Sequence, residues 1–213
     1  MKISYGITVC NELTEIQKLI SFLLEHKRDE DEIVVTLDAT NGLEAVRDYL
    51  KYTSASRKEF DWHSWPFDGD FSDLKNYTKK NCSGDYIFHL DADEIPHEIL
   101  IEQLPTILET NDVDLIWIPR VNTVEGITQE HIDKWGWKVS SKGWVNYPDY
   151  QARVYRNVDS IHWTRKVHEY IVGTKEYSHL PPHEELSLYH HKTIDKQEQQ
   201  NRLYSDILEN NRQ

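Results

Sequence analysis

The sequence predicts an α/β protein built on an open sheet with helices packed against it, and three observations predict it. Short apolar runs alternate with stretches whose apolar residues recur every three or four positions, so strand and helix follow one another along the chain. The runs at 3–9, 33–37 and 86–90 are rich in β-branched and aromatic residues, as buried strands are. Each stops at a polar or acidic turn, Cys10-Asn11-Glu12, Asp38 and Asp91-Ala92-Asp93-Glu94, and ligands of open α/β sheets gather outside the carboxyl ends of the strands.

Taken in order, Leu13, Ile16, Leu19, Ile20, Leu23 and Leu24 recur at helical spacing after the first strand, which predicts a helix to about His26. Asp29-Glu30-Asp31-Glu32 reads as a solvated acidic loop. The second strand ends at Asp38, and Asn41-Gly42 opens a second helix through Val46, Tyr49 and Leu50. A weaker strand is expected over 58–62, then a loop carrying Trp65-Pro66 and Asp68-Gly69-Asp70, then a third helix on Phe71, Leu74, Tyr77 and Thr78. A Ser83-Gly84 turn leads into the central strand. Beyond it, Ile99, Leu100, Leu104, Ile107 and Leu108 form a helical stripe that Pro105 is expected to interrupt with a kink. Another strand is expected at 115–118. Between 121 and 148 no period holds: Trp135, Trp137, Trp144 and Tyr147 lie among Gly, Ser, Lys and Asn, and such rings suit either the apolar faces of sugars or an aromatic mini-core. Val154, Tyr155, Ile161, Trp163, Val167 and Ile171 predict short strands, and residues 194–208 a polar C-terminal helix.

At 213 residues and 38% hydrophobic, the chain can bury one sizeable core. A formal net charge of -13 excludes a binder driven by the phosphate backbone of nucleic acid, and no basic stripe with interleaved aromatics is present. No stretch is long and apolar enough to span a bilayer, and the chain opens on a strand instead of a signal-peptide pattern. Cys10 and Cys82, the two cysteines, read as free thiols of a reducing compartment. A soluble cytoplasmic protein is expected.

Asp91 and Asp93 leave the central strand at i and i+2, where two carboxylates can converge on one hard divalent cation. The bland alternative is an acidic turn whose Glu94 and Glu98 favour the start of the next helix. A calcium loop is excluded because Pro96 stands where its sharp turn needs Gly. A phosphatase with an Asp nucleophile would carry a hydroxyl residue where Ile95 stands, and a nucleotidyltransferase would want a Gly- and basic-rich turn in place of Asn11-Glu12-Leu13-Thr14.

Together, Thr8-Val9-Cys10-Asn11-Glu12, Asp38, Leu74-Lys75-Asn76, the run Gly84 to Glu94, Ala152-Arg153-Val154-Tyr155-Arg156 and Val167-His168-Glu169 resemble the glycosyltransferase family 2 pattern on a GT-A fold. The subgroup they most resemble is that of lipopolysaccharide-core glucosyltransferase-like proteins. The resemblance implies a Rossmann-like nucleotide-sugar-binding half at 1–120 and, in the same domain, a mixed, aromatic-rich acceptor portion with a C-terminal helix at 121–213. It implies donor contacts at Val9, Asn11, Glu12, Asp38, Lys75, Asn76, Asp91 and Ala92, with Lys75 and Asn76 on the phosphates. Where the family follows the Asp38 position with Ser and a further Asp, this chain has Ala39-Thr40-Asn41-Gly42, which leaves the base open.

It also implies a Mn2+ or Mg2+ ion on Asp93, with Asp91 assisting directly or through water, and a third ligand from His190 or His191. Glu169 takes the position of the general base, with Asp149 in reserve, and Trp144, Arg153 and His168 face the acceptor. The expected activity is metal-dependent, inverting transfer of a sugar, a UDP-sugar being the expected donor, to a glycan, lipid-linked saccharide or protein hydroxyl. The alternative is a non-catalytic carbohydrate-binding or assembly module on the same fold.

Overall fold

A computed structural model describes residues 1–210. The chain begins β1 (Ile3–Val9), α1 (Leu13–His26), β2 (Glu32–Asp38), α2 (Glu44–Ser56), β3 (Phe60–Trp65), α3 (Phe71–Asn81) and β4 (Tyr86–Asp91), the predicted alternation. It continues through β5 (Glu94–Pro96), α4 (Glu98–Thr110), β6 (Leu115–Ile118), β7 (Arg120–Glu125), α5 (Gln129–Trp135), β8 (Gln151–Arg156), β9 (His162–Thr164), β10 (Tyr170–Val172), β11 (Tyr177–His179), β12 (Leu188–Thr193) and α6 (Ile194–Asn210).

The main sheet has seven strands in the order β11-β6-β8-β4-β1-β2-β3. β4, β1, β2 and β3 run parallel, whereas β8 is antiparallel to both β4 and β6. Both faces of the sheet are covered. Tyr86, Phe88 and Leu90 of β4 enter the larger core with Ile16, Leu19, Leu100 and Leu104 from α1 and α4, and Ile87 enters a second cluster with Cys82, Tyr155 and Trp163. Gly84 sits so close to β1 that a Cβ would lie 2.7 Å from the Ser4 amide nitrogen, so only glycine lets the turn pass there. A second, three-stranded sheet, β5-β12-β7, projects from the end of the first where the acidic turn leaves β4.

Three expectations are corrected. The third strand covers Phe60–Trp65, because β3 pairs with β2 from Ile33 to Asp38. Pro105 does not interrupt α4, which runs on from Glu98 to Thr110, its buried face of Leu100, Ile101, Leu104 and Leu108 holding the helix together despite the missing N–H. The acidic segment 29–32 is only partly solvated. Asp31 is buried, accepting from the Ile3 amide at 2.8 Å and pairing with Arg28, and Glu32 opens β2.

Glu32 ties three chain segments together: it takes Lys2 Nζ at 2.5 Å, Ser4 Oγ at 2.6 Å and the Ser83 amide at 2.6 Å. Partial burial would raise its carboxyl, but these donors outweigh it and bring the pKa down to about 2. A carboxyl lower in the folded than the unfolded state stabilises fully above about pH 4.5 and loses that contribution as pH falls toward the folded value. Glu32→Gln should therefore cost roughly 1–2 kcal/mol at pH 7, after allowing for solvent screening, and progressively less as the pH approaches 2. Urea midpoints of the two proteins at pH 7 and pH 3 check this, and parallel curves would refute it.

Candidate active site

The carboxyl ends of β1, β2 and β4 open into a cleft of about 610 Å3. Its far wall is made by β7, β12, the β9–β10 turn and α6. Of the residues expected there, Val9, Glu12, Asp38, Lys75, Asp91, Ala92, Asp93, Asp149, Arg153, His168, Glu169 and His190 line it.

The others do not reach it. Asn11 is exposed on its turn. Asn76 is occupied on both ends by the backbone of Trp163, donating to its carbonyl at 2.9 Å and accepting from its amide at 2.8 Å, so it pins β9 to α3. Trp144 packs on Tyr147 with Lys142 over its face, an aromatic mini-core outside the cleft. His191 follows His190 on a strand, where successive side chains point to opposite faces, and is 64% exposed beside Glu125.

A continuous ion-pair network underlies the cleft floor. Lys75 Nζ lies 2.6 Å from Glu169 Oε1 and 3.3 Å from Asp91 Oδ1, with the Trp163 ring below it at 4.6 Å. Arg153 donates to Asp91 Oδ2 at 2.6 Å and to Glu94 Oε1 at 2.7 Å, and Arg120 joins Glu94 at 2.8 Å to Asp149 at 2.6 Å. Burial would raise the Asp91 carboxyl, yet Arg153 and Lys75 hold it well below the usual range. Both its oxygens are thus engaged by cations, which does not suit a direct metal ligand. Arg153, expected at the acceptor, likewise has its guanidinium turned to Asp91 and Glu94 beneath the floor.

Glu94 was placed by the sequence at the next helix, but it sits in β5, fully buried between two guanidiniums. The helix cap is instead His97, whose Nδ1 accepts from the Ile99 amide. Asp38 accepts from the Thr40 and Asn41 amides at 2.8 and 3.0 Å, and Glu12 from those of Cys10 and Asn11 at 2.9 and 3.0 Å. Both carboxylates shape their own turns while facing the cleft.

Asp93 meets His190 across the top of this network, Oδ2 to Nε2 at 3.4 Å. Glu94, His190 and Asn122 stand side by side on β5, β12 and β7, in direct register. Asn122 donates its amide N–H to Asp149 at 2.8 Å, so its oxygen faces His190 Nδ1 at 2.7 Å. That assignment makes Nδ1 the donor and, in the neutral ring, turns the Nε2 lone pair toward the Asp93 carboxylate. Burial works against the Asp93 carboxylate, and its pKa is lowered through a hydrogen bond and charge that His190 offers only with a proton on Nε2; without that proton the two groups are left facing each other. Among the described residues no three His, Cys, Asp or Glu form a closed metal cage. A lone pair and a carboxylate facing each other would fit two ligands of one Mg2+ or Mn2+ ion.

Trp163, Arg120, Asn122 and Lys192 are functional candidates that sequence reasoning passed over. Their signal was in the sequence only as isolated polar or aromatic residues on weak strands.

The profile of glycosyl transferase family 2 matches residues 4–158. Crystal structures of S. aureus TarS 1-349 match with a TM-score of 0.62: 13% identity over 90% of this chain and 60% of that one for the protein alone, and 14% over 90% and 59% for its complex with UDP-GlcNAc. The chain therefore spans about 60% of the length of the structures it matches, and at this identity the likeness is one of fold. No curated protein matches it. With the family pattern extending from β1 to just past β8 and a GT-A arrangement of the sheet around the cleft, this chain belongs to glycosyltransferase family 2.

Proposed function

We propose that this chain is a metal-dependent, inverting glycosyltransferase of the lipopolysaccharide-core glucosyltransferase-like subgroup. It moves a sugar from a UDP-sugar to a hydroxyl of a glycan, lipid-linked saccharide or protein. Residues 1–120 supply most of the donor side and the later residues the acceptor side, with β12 reaching back to the donor's phosphates through His190. No helix of the described residues is long and apolar enough to cross a membrane, and we place the reaction in the cytoplasm.

The observation that carries this reading is one cleft with two differently equipped corners: Asp93 with His190, and Glu169 with Lys75. Breaking a sugar–phosphate bond builds negative charge on the departing diphosphate; Asp93 and His190 would hold a divalent cation, which would supply its neutralisation. At the other corner, the Lys75 ammonium grips Glu169 Oε1 and leaves Oε2 to serve the acceptor. Oε2 takes the hydroxyl proton as the oxygen attacks the anomeric carbon opposite the leaving group, which inverts that centre. His168 holds the backbone beside Glu169 at φ 56°, an uncommon conformation for a non-glycine residue, and its ring meets Tyr204 edge-on at 5.3 Å. Trp117, Trp137 and Tyr170 also line the cleft and suit the apolar face of the acceptor sugar.

Thermal denaturation with Mn2+, UDP and both together tests the reading. At about a hundredfold excess over Kd, the pair should raise Tm by roughly 5–10 °C, well beyond either alone. A carbohydrate-binding module would ignore the nucleotide, and absence of any joint shift would refute the proposal.

A further inference from the structure

Among the described residues four lysine and arginine side chains line the cleft, and three of them are already paired with carboxylates. Lys75 has Glu169 and Asp91, Arg120 has Glu94 and Asp149, and Arg153 has Asp91 and Glu94, each at 3.3 Å or less. Lys192 is different. It lines the same cleft, and among the described residues no carboxylate comes within ion-pair distance of it. Its Nζ is held instead by a neutral acceptor, Gln200 Oε1 of α6, at 2.6 Å. A half-buried ammonium satisfied by one amide oxygen retains donors and a charge for an incoming anion.

Its position on β12 defines which anion. Lys192 lies two residues beyond His190, so both side chains leave the same face of the strand. A group that touches both the Asp93–His190 corner and Lys192 must carry charge over several oxygens, as a diphosphate does. The residues the sequence offered for the phosphates do not compete: Lys75 is tied to two carboxylates and Asn76 to the backbone of Trp163.

We infer that Lys192 is the phosphate-binding cation of the cleft, exchanging its bond to Gln200 for the diphosphate of the donor. Through that exchange, α6 senses whether the diphosphate is present. This assignment rests on the transferase reading for the identity of the donor, whereas anion binding by Lys192 is measurable without it.

The test is calorimetric titration with inorganic pyrophosphate in EDTA, and with UDP and uridine in Mg2+. Wild type should bind pyrophosphate without metal, and Lys192→Gln should weaken pyrophosphate and UDP about tenfold or more while leaving uridine unchanged. Lys192→Arg should stay within about threefold of wild type, since it keeps the charge. In wild-type protein, pyrophosphate should also slow acetylation of Lys192, read by peptide mass spectrometry, so the assignment does not depend on a variant that folds. Wild type that ignores pyrophosphate, Lys192→Gln that binds it unchanged, or acetylation indifferent to it would each overturn the role of Lys192. Failure of wild type to bind UDP with Mg2+ while still binding pyrophosphate would instead count against the transferase reading and leave the anion site standing.

Discussion

Arg153→Met is expected to destabilise the protein by about 3–5 kcal/mol, the largest single-residue effect foreseen for this chain. Methionine nearly matches the apolar length of arginine, so the loss comes from electrostatics and not from a cavity. It leaves Glu94, fully buried, with Arg120 as its remaining ion-pair partner, and takes from Asp91 the cation 2.6 Å away. A carboxylate held beneath the floor by one cation where it had two loses far more than a solvent-exposed pair would. Chemical denaturation measures the effect. The companion Glu94→Gln with Arg153→Met should recover much of the loss, since the buried charge is then gone, and a double variant no better than the single would show that Arg153 acts through packing alone.

Asp93→Ala should lower kcat on the order of 100- to 1000-fold while leaving the fold intact, because among the described residues its ion-pair partner is His190 and its removal opens no core. Steady-state transfer with a UDP-sugar donor and Mn2+ gives the rate, and the melting temperature without ligands gives the fold. The same variant should lose the joint stabilisation by Mn2+ and UDP. Turnover within about tenfold of wild type would exclude Asp93 from the metal corner.

The parallel half of the sheet was legible because β1, β2 and β4 are buried on both faces and its helices carry clean apolar stripes, as Ile16, Leu19, Ile20 and Leu23 do on α1. Local pattern suffices there. The second sheet was not legible. β5 is three residues long, and β12 reads Leu-Tyr-His-His-Lys-Thr, with too few apolar residues to announce a strand. Their pairing is a property of distant segments brought together, which no local period records.

The same limit explains the site. Asp91, Asp93, Glu169 and the His190 region could be expected from motif order, but which atoms each carboxylate meets could not. Lys75 and Asn76 are neighbours in sequence on one helix, yet one faces Glu169 and the other Trp163. Likewise Glu94 looks like an ordinary helix-start acid until Arg120 and Arg153, 26 and 59 residues onward, close over it.

The rung formed by Glu94, His190 and Asn122 has a consequence for how this site can fail. Three strands must align to the residue, because sliding β12 by one place relative to its neighbours would bring Tyr189 or His191 to the rung and turn His190 toward solvent. Such a slip would leave the seven-stranded core, and most of the protein's stability, almost untouched. A variant could therefore melt normally and still be silent in catalysis, with a misthreaded strand as the whole of its defect.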